Sequence, residues 1–164
     1  MGISSSNRIY GGQQTGPNQF PWMVQLLIRV PDFFRYQVFR CGASLIKDRY
    51  LLTAAHCVYY TKLAAVALIG YHFVDPQRLD VINVTGLEQR INVTRAFIPL
   101  DFDPPTMTSD IAVLELEHPV QFNECVHTIC LPSSDYPDTQ LERNHSQVTV
   151  AGWGYMPYQG DTDY

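Results

Sequence analysis

The chain has 164 residues, 46% of them hydrophobic and only 16% charged, with 11 Lys plus Arg against 16 Asp plus Glu and a formal net charge of -5. That length suffices for one ordinary core or two small ones sharing an interface, and the apolar content excludes a mostly disordered chain. The acidic balance and scattered arginines exclude a nucleic-acid surface, and no apolar run approaches the roughly 20 residues of a membrane-spanning helix.

Residues 1–8, Met1-Gly2-Ile3-Ser4-Ser5-Ser6-Asn7-Arg8, form a polar leader with neither the basic start nor the apolar middle of a secretory signal. Turn chemistry follows in Tyr10-Gly11-Gly12-Gln13-Gln14-Thr15-Gly16-Pro17. Residues 20–28 predict a strand, residues around Pro31-Asp32-Phe33-Phe34 a loop, and the approach to Cys41 a return strand, together a hairpin with an aromatic tip. Further short strands are predicted at 43–46, 50–53, 65–70, 90–97, 111–115 and 147–151, with a single helical turn at 54–59. Short, regularly spaced strands with little 3.6-residue periodicity predict an all-β fold, an antiparallel barrel or sandwich.

Two features point to an oxidising, secretory route. The cysteine count is even, at four, and there are three Asn-x-Ser/Thr triplets, at Asn83, Asn92 and Asn144. The expectation is a secreted, extracellular protein whose own leader lies outside this sequence, with these three asparagines as glycosylation candidates.

The apolar run Leu51-Leu52-Thr53-Ala54-Ala55 ends in His56-Cys57, and Cys41 lies 15 intervening residues upstream of Cys57. A disulfide across that loop contributes about 3 kcal/mol in the chain-entropy model and fixes the strand that presents the histidine. The alternative is two buried free thiols. A metal site at His56 and Cys57 is disfavoured because adjacent residues rarely both ligate and no paired Cys-x-x-Cys or His-x-x-x-His accompanies them, so no metal and no cofactor is expected. A lone histidine is ordinarily a core or surface residue. Asp110 changes the odds, because it opens the apolar run Ile111-Ala112-Val113-Leu114-Glu115-Leu116, where a carboxylate is costly without a hydrogen-bonded partner. An imidazole acting as a base needs its other nitrogen held by such a group.

Six motifs in order then resemble the trypsin-like (chymotrypsin-fold) serine proteases. They are Arg8-Ile9-Tyr10-Gly11-Gly12, Pro21-Trp22, Cys41-Gly42-Ala43-Ser44-Leu45-Ile46 with residues 51–57, residues 110–116, Cys130-Leu131-Pro132, and Ala151-Gly152-Trp153-Gly154. The resemblance runs from Arg8 to about Gly154. It implies a double antiparallel β-barrel, with the first barrel, about residues 22–115, near complete and the second, residues 121–164, truncated. Residues 1–8 would be the end of a pro-segment and 9–164 the protease domain. His56 would be the general base and then acid, and Asp110 the residue that orients it. Cleavage between Arg8 and Ile9 would activate a zymogen.

The same resemblance implies a serine endopeptidase working by acyl transfer on protein or peptide substrates, with protein protease inhibitors as further partners. The family's nucleophile motif, Gly-Asp-Ser-Gly-Gly, does not occur within these residues, and Ser44, Ser109, Ser133, Ser134 and Ser146 lack a nucleophile's context. The chain alone is therefore expected to be inactive. The alternative is a non-catalytic homologue that uses the scaffold as a protein-binding module. Tyr71 stands where calcium-binding members carry an acidic residue, so no calcium site is expected. Cys125 and Cys130 either bond to each other or pair with cysteines outside the sequence.

Overall fold

The structure is a computed structural model that describes residues 13, 15–16, 18–31, 36–61, 64–72, 85–132 and 148–153. Among the described residues there are six strands, β1 (Met23–Pro31), β2 (Tyr36–Lys47), β3 (Tyr50–Thr53), β4 (Ala65–Ile69), β5 (Gln89–Phe97) and β6 (Ala112–Leu116), with a 3-10 turn at Ala55–Cys57 between β3 and β4. All pairings are antiparallel, and the strands close into a barrel in the order β1-β2-β3-β6-β5-β4. The predicted all-β class and the first barrel are thus present, with the barrel strands running from Met23 to Leu116.

Strand periodicity decides which side chains fill the barrel. In β6, Ala112, Leu114 and Leu116 point inward at 1% exposure or less. In β5, buried Ile91 and Val93 alternate with exposed Asn92 and Thr94. Val24, Leu26 and Ile28 of β1, Leu45 of β2, Leu51 of β3 and Ala67 and Ile69 of β4 complete one continuous core. Register shifts between Leu45 and Lys47 and between Val93 and Arg95 bend the sheet where it must close. Closure removes the unpaired edges that an open six-stranded sheet would present.

β1 and β4 are also covered on their outer side. Leu27, Leu68 and Tyr71 form a second apolar cluster, packed by Val38, Val66 and Trp153, and the Trp153 indole donates to the carbonyl of His72 at 3.2 Å. Burial, reinforced by the charge of Glu88, pushes the Tyr71 phenol above its ordinary pKa, so the ring is a neutral packing element.

Residues after β6 turn back along the barrel. Val120 donates to Asp48, His127 to Pro21 and Ile129 to Leu45, at 2.8, 3.0 and 2.9 Å. Gly70, at φ 80°, lets this returning segment approach, since a Cβ there would lie 3.1 Å from Val126 Cγ2.

Two predicted strands need correction, one pair of alternatives is narrowed, and other expectations fall outside these residues. The predicted return strand towards Cys41 and the strand predicted at 43–46 are one twelve-residue strand, β2, because Gly42 continues the β1 ladder without a break. A strand at 147–151 is absent over 148–151, where no neighbouring strand among the described residues offers a ladder. Cys125 and Cys130 are not bonded to each other: Cys125 is buried in the core at 2% exposure while Cys130 is exposed. A tight turn explains this, for Asn123 Oδ1 accepts the Cys125 N–H at 2.8 Å and turns the Cys125 side chain inward. The hairpin tip at 32–35, the leader with Arg8 and Ile9, and Asn83 and Asn144 lie outside the described residues.

Candidate active site

His56 and Asp110 are 54 residues apart in sequence, and one strand pairing brings them together. β3 and β6 run antiparallel with Thr53 opposite Ala112, so the residues that follow β3 and those that precede β6 emerge at the same end of the barrel. His56 lies three positions past Thr53 and Asp110 two before Ala112. Apolar inward positions on both strands, Leu51 and Leu114 among them, fix this register, because a slip by one residue would turn the core side chains to the outside.

Asp110 holds His56 at two points. Its Oδ2 lies 2.7 Å from His56 Nδ1, and its Oδ1 accepts the backbone N–H of His56 at 2.8 Å. With the carboxylate ionised, Nδ1 is the donor, which leaves a lone pair on Nε2 of the neutral imidazole. The imidazole side chain is half exposed and the carboxylate about a quarter exposed, at 51% and 23%. The hydrogen bond from the His56 ring, then that from the His56 backbone, holds the Asp110 carboxyl below the ordinary carboxylate range. Asp110 is therefore a fixed negative acceptor at neutral pH.

The loop before Asp110 is braced by its own side chains. Ser109 adopts a left-handed conformation at φ 53° and donates through its hydroxyl to Asp101 Oδ2 at 2.7 Å, while Ile111 N–H closes back onto the Ser109 carbonyl at 2.7 Å. A non-glycine residue in that region is uncommon, and here it lies next to the orienting carboxylate. Phe102 is buried and meets Tyr59 edge-on at 5.1 Å, tying the loop to the turn that carries His56. Ser109 is thus committed to Asp101.

On the other side, Cys41 of β2 and Cys57 of the 3-10 turn form a disulfide with a Cα separation of 6.3 Å, so the bonded alternative holds. The Thr53 hydroxyl donates to the Gly42 carbonyl at 2.7 Å, which joins β2 to the end of β3 independently of the sulfurs. Cys57 Sγ lies 3.5 Å from His56 Nε2. That contact and the backbone bond to Asp110 were not foreseen from sequence, since neither carries a pattern of residue types; only the adjacency of His56 and Cys57 hinted at the first.

Asn92 lies on the outer face of β5 away from this site, exposed alongside Thr94, with its amide donating to Glu117 Oε2 at 2.9 Å.

Comparison with known proteins agrees with the geometry. A family model described as Trypsin matches residues 9–164. The serine protease filzig of Drosophila melanogaster is 34% identical over 94% of this chain and 8% of its own length. Coagulation factor IX of Cavia porcellus is 32% identical over 94% of this chain and 49% of its own length. The CLIP domain-containing serine protease HP8 of Bombyx mori is 33% identical over 99% of this chain and 45% of its own length. The chain thus spans about half or less of the curated relatives it matches. A solved structure described as "Structure of GrC" shares the fold, with a TM-score of 0.64 over 77% of this chain and 50% of that one at 24% identity. With a closed antiparallel barrel, a His–Asp couple at one end of it, and a family match over nearly its whole length, the chain belongs to the trypsin family of serine proteases.

Proposed function

We propose that this sequence supplies the base-bearing part of a secreted serine endopeptidase that hydrolyses peptide bonds by acyl transfer. The observation that carries the reading is the two-point hold of Asp110 on His56, at 2.7 and 2.8 Å. Fixing both the ring nitrogen and the backbone N–H leaves the imidazole one tautomer and restricts its orientation, with Nε2 free to take a proton. His56 removes the proton from a nucleophilic hydroxyl as it attacks the scissile carbonyl, then returns it to the departing amine. Asp110 stabilises the imidazolium between those steps.

None of residues 1–164 is proposed as the nucleophile. No Gly-Asp-Ser-Gly-Gly occurs within them, and the Ser109 hydroxyl is taken by Asp101. Residues 1–164 alone then turn over no peptide, because a base without its nucleophile forms no acyl-enzyme. Cleavage after Arg8, which frees the Ile9 amine, is the proposed activation step, and protein substrates are the proposed partners, as the relatives' description as serine proteases supports.

The test uses the full natural gene product, treated with a serine-directed phosphonate and assayed on peptide substrates. His56→Ala should lose both labelling and hydrolysis while keeping its near-ultraviolet circular dichroism, and Arg8→Gln should stay silent until cleaved at an engineered site. Undiminished hydrolysis in His56→Ala removes the proposed base. A folded wild-type protein that neither labels nor hydrolyses after activation favours the non-catalytic homologue.

A further inference from the structure

Three ligand-type atoms converge beside the His–Asp couple. Cys41 Sγ, Cys57 Sγ and His56 Nε2 all lie within 4.8 Å of one another, half-buried or exposed. While the sulfurs are bonded to each other neither is a thiolate, and the group binds no metal through them. We propose that reduction of the Cys41–Cys57 disulfide converts this group into a three-ligand site for zinc, two thiolates and one imidazole, with a fourth position open to water.

Geometry supports the site. Zinc bonds of about 2.3 Å to sulfur and about 2.0 Å to nitrogen in a tetrahedron place S and N about 3.5 Å apart and the two sulfurs about 3.8 Å apart. Cys57 Sγ and His56 Nε2 already stand 3.5 Å apart. Two unbonded sulfurs separate on reduction to nearly the second distance by van der Waals repulsion alone. Adjacent ligands ordinarily point apart, which is why the pair His56-Cys57 was set aside as a metal site from sequence. Here the 3-10 turn at Ala55–Cys57 and the hold of Asp110 swing the ring back over its neighbour.

The surroundings suit a metal in two further respects. Asp110 accepts a hydrogen bond from Nδ1–H and leaves Nε2 as a lone-pair donor, the carboxylate–histidine arrangement that orients zinc ligands. The three residues also stay together without the disulfide, since Thr53 ties β3 to Gly42, β3 pairs with both β2 and β6, and Asp110 bonds the His56 backbone.

The redox step needs a dithiol reductant. One disulfide and one dithiol exchange to give the free Cys41 and Cys57 thiols and an oxidised dithiol, and zinc binding then releases the two thiol protons to solvent. Zinc at this position occupies the same Nε2 lone pair that a base requires. On the proposed function the reduced, zinc-bound form is a silenced form; a small-molecule disulfide that takes two electrons from the thiolates, itself becoming a dithiol, restores the Cys41–Cys57 bond and releases the zinc ion.

The test is a cobalt titration of the 164-residue chain, reduced with a phosphine under anaerobic conditions and freed of reductant. One equivalent of Co2+ should produce thiolate-to-metal absorption in the near ultraviolet and tetrahedral bands in the visible, both removed by one equivalent of Zn2+. Cys41→Ala/Cys57→Ala, which retains Cys125 and Cys130, should show neither. His56→Ala keeps both thiols but should lose the tetrahedral bands, and Asp110→Asn should weaken binding by about 10–100-fold. Air oxidation of the zinc form should release the metal in step with disulfide formation. The proposal is overturned if the reduced chain binds no cobalt, if His56→Ala gives the wild-type spectrum, or if binding persists unchanged in 6 M guanidinium (on the order of complete unfolding), which would mark an unstructured thiol pair. It is equally overturned if reduction collapses the near-ultraviolet circular dichroism and zinc does not restore it.

Discussion

Removing the cross-link should weaken the barrel without dismantling it. The Cys41–Cys57 disulfide closes a loop across a sequence separation of 16. Chain-entropy loss in the unfolded state for such a loop is about 10 cal/mol/K, or about 3 kcal/mol at 25 °C. Against a stability of about 5–15 kcal/mol for a domain of ordinary size, the folded barrel remains the majority state after reduction. At about 2–4 °C per kcal/mol for a chain of this length, the melting temperature should fall by about 6–12 °C. The assay is equilibrium urea unfolding of the oxidised chain, the reduced chain and Cys41→Ala/Cys57→Ala. The reduced chain keeps both sulfur atoms, so its deficit isolates the cross-link. The double alanine variant should lose somewhat more, because Cys41 and Cys57 also pack against the core cluster. A deficit below about 1 kcal/mol would show that the unfolded chain is already held compact by other means and would refute the entropic reasoning. Loss of the barrel on reduction would refute the claim that the strand pairings and the Thr53–Gly42 bond hold this corner by themselves.

Two further predictions concern the couple and the returning segment. The Asp110 carboxyl titrates below its unfolded value because the His56 ring and backbone hydrogen-bond its ionised form, so the stability this contributes is fully present above the ordinary carboxylate range and is lost as pH falls through the lowered folded value. Asp110→Asn should remove that acid-side loss from the stability–pH curve, read by thermal melts from pH 2 to 6 (about the carboxylate range), and in the endopeptidase proposed above should cut kcat by about 10^4 by favouring the wrong tautomer. An unchanged acid limb, or unchanged turnover, would contradict it. Gly70→Ala should cost about 1–2 kcal/mol in urea unfolding, since the residue sits at φ 80° and the new Cβ meets Val126 Cγ2 at 3.1 Å. A neutral substitution would mean that residues 125–126 shift freely.

Much of the candidate site was legible because its chemistry is written in residue types. His56 follows an apolar strand and Asp110 opens another, and a carboxylate in that position demands a partner. The partner proved to be His56, but by two bonds, one of them to a backbone N–H, and a backbone donor is the same at every residue. Cys125 shows the limit from the other side. Its spacing of five from Cys130 left a local bond and outside partners equally open, and the Asn123 turn sends one side chain into the core and leaves the other in solvent. Spacing cannot distinguish those outcomes, because a disulfide depends on where the Cβ vectors point.

The sequence by itself determined the all-β class and most of the strands, because period-2 burial is a local property, and its resemblance to the trypsin-like proteases, beside the cost of an unpaired carboxylate, singled out His56 and Asp110 as a pair. Tertiary structure alone decided that Thr53 faces Ala112, and with that register the ends of β3 and β6 bring two residues 54 positions apart within 2.7 Å. It also placed His56 Nε2 beside Cys57 Sγ, a contact set by how the 3-10 turn winds under the pull of Asp110. Pairing register and ring orientation are properties of the closed barrel, where strands distant in sequence fix one another, and no single segment contains them.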